Sequence, residues 1–383
     1  MLAAVLASTG KLQPGMWLRT VDRGTVDKLV MPYTPLKTVS TSHDSGRLAE
    51  MLPVLFRWLV VAAQVATILV TWKLWQTRTS PPLLPVVELP QFGFGWLMLV
   101  SACAVLVTPR WGLIAHACVV FVAMLLDQTR MQPEIVSHCF LLLGTLPSNA
   151  ARLIGRMHLI SLWLFSGMHK LLSPAFYDDV APYLWHGVTG DALPGAAQAF
   201  GVTLALTEIG LGLLAMFVRT RRIAAVAAIP FHLGVLASLV HMQWNEAVWP
   251  WNVALAGAGM GLLFDWREAL LPSFRAVQGV MRAVAALVLV APASYYFGGL
   301  DAYMAHCLYS GNTPRGYLVR PGIRENLTML TIDELKVPFP PTHRTYRDLF
   351  LAIGKPGDRL LIEDPRPCAC WWGYDRVDFE YPK

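Results

Sequence analysis

At 383 residues, 55% of them hydrophobic and only 15% charged, with a mean hydropathy of +0.46, the chain lacks the composition of a soluble domain, which carries about 25% charge. The net charge of +6 and pI near 9.0 do not point to nucleic acid, because there is no basic tract and the arginines fall mainly in short connectors between apolar runs, a distribution that signals membrane topology. Nothing resembles a phosphate-binding glycine loop, a nucleophile elbow or a duplicated transporter half, so nucleotide hydrolysis and serine-hydrolase chemistry are not expected and transport is unprompted.

In chain order, residues 1–50 are mixed and contain Lys11, Arg19, Arg23, Lys28, Lys37 and Arg47. They do not form a signal peptide: the apolar run 2–7 is too short for an h-region and has no basic residue before it. Spans are expected at 51–75, 92–108 and 111–126, with Arg57 near enough to the start of the first to snorkel. A shorter apolar piece at 133–146 reads as a tilted span or a re-entrant helix. Further spans are expected at 156–172, 196–218, 223–242, 251–264 and 281–297. The expected fold is therefore an all-α polytopic membrane bundle of eight or nine transmembrane helices over 51–299, with a small C-terminal domain at 300–383.

The connectors separate by charge. One set carries Arg110, Arg152, Arg156, Arg219, Arg221, Arg222, Arg267, Arg275 and Arg282, whereas the other holds Arg78, Arg130 and otherwise acidic or neutral residues such as Asp178, Asp179, Asp191 and Glu246. By the positive-inside rule the arginine loops and the basic N-terminal segment are cytoplasmic. Nine crossings then place the C-terminal domain outside an inner or plasma membrane. Its short alternating pieces, Tyr317-Leu318-Val319 and Arg359-Leu360-Leu361-Ile362-Glu363, suit β-structure. With so few residues its own core is marginal, and it is expected to dock on the bundle.

Cys103, Cys118 and Cys139 lie in or beside spans and read as buried apolar thiols. Cys307, Cys368 and Cys370 lie in the outer region, where oxidation is permitted. A bridge from Cys307 to Cys368 or Cys370 would tie the tail to the last span, and Cys368-Ala369-Cys370 also reads as a redox pair or half a metal site. With no matching thiol pair or histidine cluster nearby, no metal is expected.

The chemistry candidates are ionisable groups inside apolar runs, each costing about 2.5–3.5 kcal/mol at mid-span on insertion scales and so needing a reason. Lys170 ends the fifth span beside His169, and an acidic, aromatic connector, Phe176-Tyr177-Asp178-Asp179, follows. Gly167, one turn before Lys170, leaves room for a neighbouring helix or a flat ligand. The bland alternative is a lysine that snorkels and pairs with a nearby aspartate. His158 and His169 are eleven residues apart, on one helix face and about 16 Å apart along the axis, too far to share an ion. Glu208 sits mid-span, where snorkelling is impractical, and needs a partner among His232, His158 and Lys170. His232 follows Pro230, which bends its helix and suits a cavity wall. His241 lies among Trp244, Trp249 and Trp251, which read as an interfacial belt.

Gly167-x-x-Lys170-Leu171 at a span end, the acidic aromatic connector, the Glu208 span, a basic turn and Phe231-His232-Leu233 together resemble the membrane core of the vitamin K-dependent γ-carboxylase-like, or horizontally transferred transmembrane (HTTM), family, with DoxX-like proteins as relatives. The likeness covers about 152–264, and its motifs are short. It implies a membrane enzyme whose lysine deprotonates a reduced quinone, which after oxygenation yields a stronger base that prepares a substrate glutamate for carboxylation. Lys170 matches that base; His169, His158, Glu208 and His232 complete the candidate catalytic set. Two features depart from the family: His169 stands where the carboxylases carry another lysine, and the tail is too short to grip a propeptide as the animal enzymes do.

Three readings follow. The first is a quinone-using membrane oxidoreductase or carboxylase built on Lys170. The second is a non-catalytic membrane subunit or scaffold that binds a partner protein through its outer domain, where Trp371, Trp372 and Tyr374 suit an interface. The third is a haem or di-metal protein using His116, His138, His158, His169, His232 and His241, which lack a close His-x-x-x-His repeat.

Overall fold

The computed structural model describes residues 42–190 and 193–382. The expected N-terminal segment 1–50 lies outside the described residues up to 41, and its remainder belongs to the first helix. The helices are α1 Ser42–Val70, α2 Gly95–Val107, α3 Pro109–Leu126, α4 Pro133–Gly144, α5 Asn149–Leu171, α6 Ala181–Thr189, α7 Pro194–Met216, α8 Arg221–His241, α9 Trp249–Ala258, α10 Leu270–Arg275 and α11 Gly279–Val290. Three of them, α3, α4 and α7, begin on a proline, whose fixed φ suits the first helical turn and whose missing N–H costs nothing there.

Among the described residues, five helices are long and apolar enough to cross a membrane by length and composition: Met51–Val70, Pro109–Leu126, Gly195–Met216, Arg221–His241 and Gly279–Phe297. These apolar helices suggest a bilayer environment. The expected count of eight or nine is not confirmed among the described residues, for three physical reasons. Helices α2 and α4 have 13 and 12 residues, too short at about 1.5 Å per residue for a hydrocarbon core of about 30 Å. Helix α9 ends after 10 residues and continues as one π-helical turn, Gly259–Leu263. Helix α5 is long, but Arg152, Arg156, His158, His169 and Lys170 lower its hydropathy.

The charge of α5 is tolerable because the helix is central. It packs against α4, α7 and α11, and Met157, Leu159, Ile160, Leu162 and Trp163 are buried in the main core. It approaches α4 closely where Gly155 meets Gly144: a Cβ on Gly155 would stand 2.4 Å from the Gly144 Cα. Gly155→Val is therefore expected to force these helices apart at a cost of about 1–3 kcal/mol or more, read as a lower midpoint of unfolding in detergent. An unchanged midpoint would contradict this crossing.

Because the helices alternate, the C-terminal ends of α1, α3, α5 and α8 gather at one end of the bundle with the starts of α2, α4, α7 and α9. The C-terminal region joins that end. Its strands, β1 Arg315–Arg320, β2 Ile323–Asn326, β3 Arg359–Glu363 and β4 Arg376–Glu380, form one antiparallel sheet in the order β2-β1-β3-β4. Both sequence pieces expected to be β lie in it, within β1 and at β3. Besides α12 Ile332–Leu335, the region contains α13 His343–Ile353 and α14 Pro367–Trp372. Thr342 and Thr345 close a capping box at the start of α13, which buries Tyr346, Leu349 and Phe350 with Leu318, Leu360 and Ile362 of the sheet. Leu84, from the connector after α1, completes that small core, and Gln128 Nε2 donates to Asp348 Oδ2 at 2.8 Å. The domain thus docks on the bundle, as its size requires.

All six cysteines are free. No bridge joins Cys307 to Cys368 or Cys370: the Cys307 thiol stands 2.9 Å from Ser310 Oγ, buried Cys368 accepts from the Tyr374 hydroxyl at 3.5 Å, and Cys370 is exposed.

Candidate functional site

Helices α5 and α7 cross at Gly167, where a Cβ would lie 2.6 Å from the Ala205 carbonyl oxygen and 2.8 Å from the Ile209 nitrogen. That closeness fixes what happens one turn further along. Lys170 Nζ reaches Glu208 Oε2 at 2.7 Å and also donates to Ser166 Oγ at 2.8 Å and the Ser166 carbonyl at 3.5 Å. Both residues are buried, at 5% and 8% exposure. Glu208 therefore has the partner its mid-span position demanded, and Lys170 does not snorkel to a connector aspartate.

The pair forms part of the wall of a cavity of about 350 Å³, within the range of small-ligand sites. Most of the lining is apolar, from Leu162, Phe200, Leu204, Phe231 and Leu255 among others; the polar contributors include Lys170, Glu208, His232, Asn252, His306 and Tyr309. Buried His232 lies in α8, two residues past Pro230. The Trp163 indole donates to its Nε2 at 2.9 Å, so that nitrogen carries no proton, and Nδ1–H then faces Asn252 Oδ1 at 3.3 Å. Asn252 is oriented in turn by donating to the Val248 carbonyl. His232 is thus a neutral, doubly anchored wall residue.

His158 and His169 do not line this cavity. His158 stacks on Phe140 and places Nε2 2.9 Å from Ser137 Oγ. His169, fully buried, donates from Nε2 to the Ala305 carbonyl at 2.8 Å, and in the neutral ring Nδ1 accepts from the Tyr296 hydroxyl at 2.7 Å. Both face the segment that follows the last span, since the His306 ring meets the His158 ring edge-on at 5.2 Å. They hold that segment in place instead of facing a ligand.

His306 is the residue that sequence reasoning missed. Its backbone is left-handed, with φ 64°, as is that of Tyr309, with φ 55°, conformations that persist for non-glycine residues only when their surroundings enforce them. The Tyr309 hydroxyl accepts from Asn245 Nδ2 at 2.6 Å. Among the described residues the His306 ring makes no hydrogen bond, while it lines the cavity that holds Lys170. Burial, reinforced by His158 and His169 nearby, holds its imidazole well below the ordinary range, so it faces the cavity neutral. The available signal was a histidine nine residues beyond an expected span end, but only long-range folding returns it to the bundle.

Trp251 is also not part of an interfacial belt. It is buried and donates to Ser137 Oγ at 3.0 Å, which bonds His158 in turn. The histidines named for a haem or di-metal centre disperse: His116 is held by Ser101 and Gln64, and among the described residues neither ring nitrogen of buried His138 has a hydrogen-bond partner. Among the described residues no three His, Cys, Asp or Glu side chains are grouped to hold a metal ion.

Fold and site together define a helical protein whose apolar helices suggest membrane integration and which keeps a buried ion pair in the wall of a small apolar cavity. No protein-family model, curated protein or solved structure matches the chain.

Proposed function

We propose that this is an integral membrane protein, similar to the carboxylase-like HTTM family, that binds a quinol in the Lys170–Glu208 cavity and removes a proton from it with Lys170 as base. The observation that carries the reading is the 2.7 Å contact between the lysine and the carboxylate in the wall of an otherwise apolar cavity. The residues fit such a ring: Phe200, Phe231 and Leu255 offer flat or aliphatic surface, and Lys170, Glu208 and His306 offer polar contacts. When bound, a quinol supplies an acidic hydroxyl and two transferable electrons.

The chain's part is proton handling. Moving one proton from Nζ to Oε2 across the short contact leaves a neutral amine beside a neutral acid, the form in which Lys170 is a base. Lys170 would hold an accepted proton at Nζ as an ammonium, and the low local dielectric would strengthen its attraction for a neighbouring negative oxygen. His306 is placed to hydrogen-bond the ligand, and His232 keeps its Nε2 and Nδ1 committed to the wall. In the orientation we propose, the arginine-bearing turns and N-terminal segment are cytoplasmic and the cavity end and C-terminal domain are extracytoplasmic.

Mass spectrometry of lipid extracted from the purified protein is expected to find a prenylated quinone, and titration with a short-chain quinol is expected to saturate at one site and to fail with Leu204→Trp, which fills the cavity. No retained quinone together with no saturable binding would remove the reading. A second reading, a scaffold subunit, rests on Trp371 and Trp372, which are 69% and 74% exposed; a stoichiometric co-purifying protein released by Trp371→Ser/Trp372→Ser would favour it.

A further inference from the structure

At the opposite end of the bundle lies a second and larger cavity, of about 1720 Å³, beyond the roughly 300–1,000 Å³ of ordinary small-molecule sites. Its polar rim is arginine-rich: Arg57, Arg110, Arg152 and Arg156 all line it, and none makes an ion pair among the described residues. Asp265 is the one carboxylate among the described lining residues, and Arg267 stands 3.7 Å from it. The guanidinium groups are anchored in a common way. Arg57 donates from Nε to Thr145 Oγ1 and from one terminal nitrogen to the Thr145 carbonyl, Arg152 donates from Nε to the Leu146 carbonyl, and Arg156 donates from Nε to the Leu262 carbonyl while lying over the Trp266 ring. Five terminal nitrogens on these three side chains have no hydrogen-bond partner among the described residues.

Fixed stems with unpaired guanidinium ends call for an anion with several acceptor oxygens, and phosphate meets that geometry best. The rest of the cavity says what the phosphate is attached to. Leu113, Phe140 and Leu143 line it, and Ile114 and Phe121 of α3 do so while 46% and 62% exposed, on a helix apolar enough to span a membrane. An apolar channel that opens past a lipid-facing helix admits acyl chains. We propose that this cavity binds an anionic glycerophospholipid, with its phosphate on Arg57, Arg152 and Arg156 and its chains along α3 and α4. The site is independent of the quinol reading, since it shares no residue with the Lys170 cavity.

The test uses the full chain, delipidated in a mild detergent and examined by native mass spectrometry and thermal unfolding. Phosphatidylglycerol is expected to remain bound and to raise the midpoint, and phosphatidylcholine with the same chains is expected to bind at least about tenfold more weakly. Inorganic phosphate alone, lacking chains, is expected to leave the midpoint unmoved. Arg57→Gln/Arg152→Gln is expected to lower phosphatidylglycerol affinity by about tenfold or more and to flatten its salt dependence. Equal binding of the two lipids would overturn the proposal, as would equal stabilisation by inorganic phosphate or an unaffected double variant. Should the double variant fail to fold, the wild-type comparison of the three ligands decides alone.

Discussion

Lys170→Met is expected to destabilise the protein by about 3–5 kcal/mol, because it leaves the Glu208 carboxylate buried without its partner. Adding Glu208→Gln removes the stranded charge, so the double variant is expected to recover most of that loss, and the two single losses are expected to be far from additive. Equilibrium unfolding of the four proteins in detergent gives the cycle directly. If Lys170→Met were as stable as the wild type, the pair would not exist as described. Proton abstraction follows a different pattern. Neither single variant nor the double retains a couple that can exchange a proton, so on the proposed function all three are expected to lose about 10²–10⁴ in the rate of proton abstraction from quinol. Lys170→Arg keeps the charge but presents a guanidinium that does not deprotonate, and is expected to hold stability while losing turnover. Restored folding without restored chemistry separates the positioning of Glu208 from its use.

That Glu208 needs a partner was legible in the sequence, because a mid-span carboxyl must be paired, but the choice among His232, His158 and Lys170 stayed open there and is settled only by the close crossing at Gly167. The membership of the rest of the site was not legible. His169 is adjacent to Lys170 in sequence, but successive helical residues are about 100° apart and do not face one another, so it turns to Tyr296 and Ala305 while Ser166, four residues earlier, shares the lysine's face. The eleven-residue spacing of His158 and His169 gave their common face correctly, and both touch residues 305–306. What no local pattern carried is the return of that segment into the bundle, which depends on a left-handed His306 and on contacts more than a hundred residues apart in sequence. The apolar runs located the helices, but hydropathy alone did not tell a helix surrounded by protein from one facing lipid. Helix α5 is the clearest instance, since its neighbours supply the partners that a lipid-facing helix would lack.

Asp364→Ala is expected to loosen the C-terminal domain by about 3–5 kcal/mol, because the carboxylate is the hub that ties the domain to the last span. Its side chain is fully buried and accepts from Arg366 Nη2 at 2.6 Å, Arg366 Nε at 2.9 Å and His343 Nε2 at 2.9 Å. Arg366 in turn lies over the Tyr295 ring and donates to the Tyr295 carbonyl, at the end of the span Gly279–Phe297. Burial pushes the Asp364 carboxyl up, but the hydrogen bonds from His343 and Arg366 outweigh it and hold the group below the usual carboxylate range. A carboxylate with a depressed folded-state pKa contributes stability above its unfolded value, near 3.9, and that contribution disappears as pH falls through the folded value. Amide protection over 343–381, measured against the intrinsic exchange rate at each pH, is therefore expected to be high in the wild type at neutral pH and to fall below about pH 4. In Asp364→Asn the same segment should be weakly protected already at neutral pH, and the further loss of protection below pH 4 should flatten, because the group that takes up the proton is gone. An asparagine variant that kept the wild-type acid profile would assign the acid response to another carboxylate and leave Arg366 anchored by Tyr295 alone.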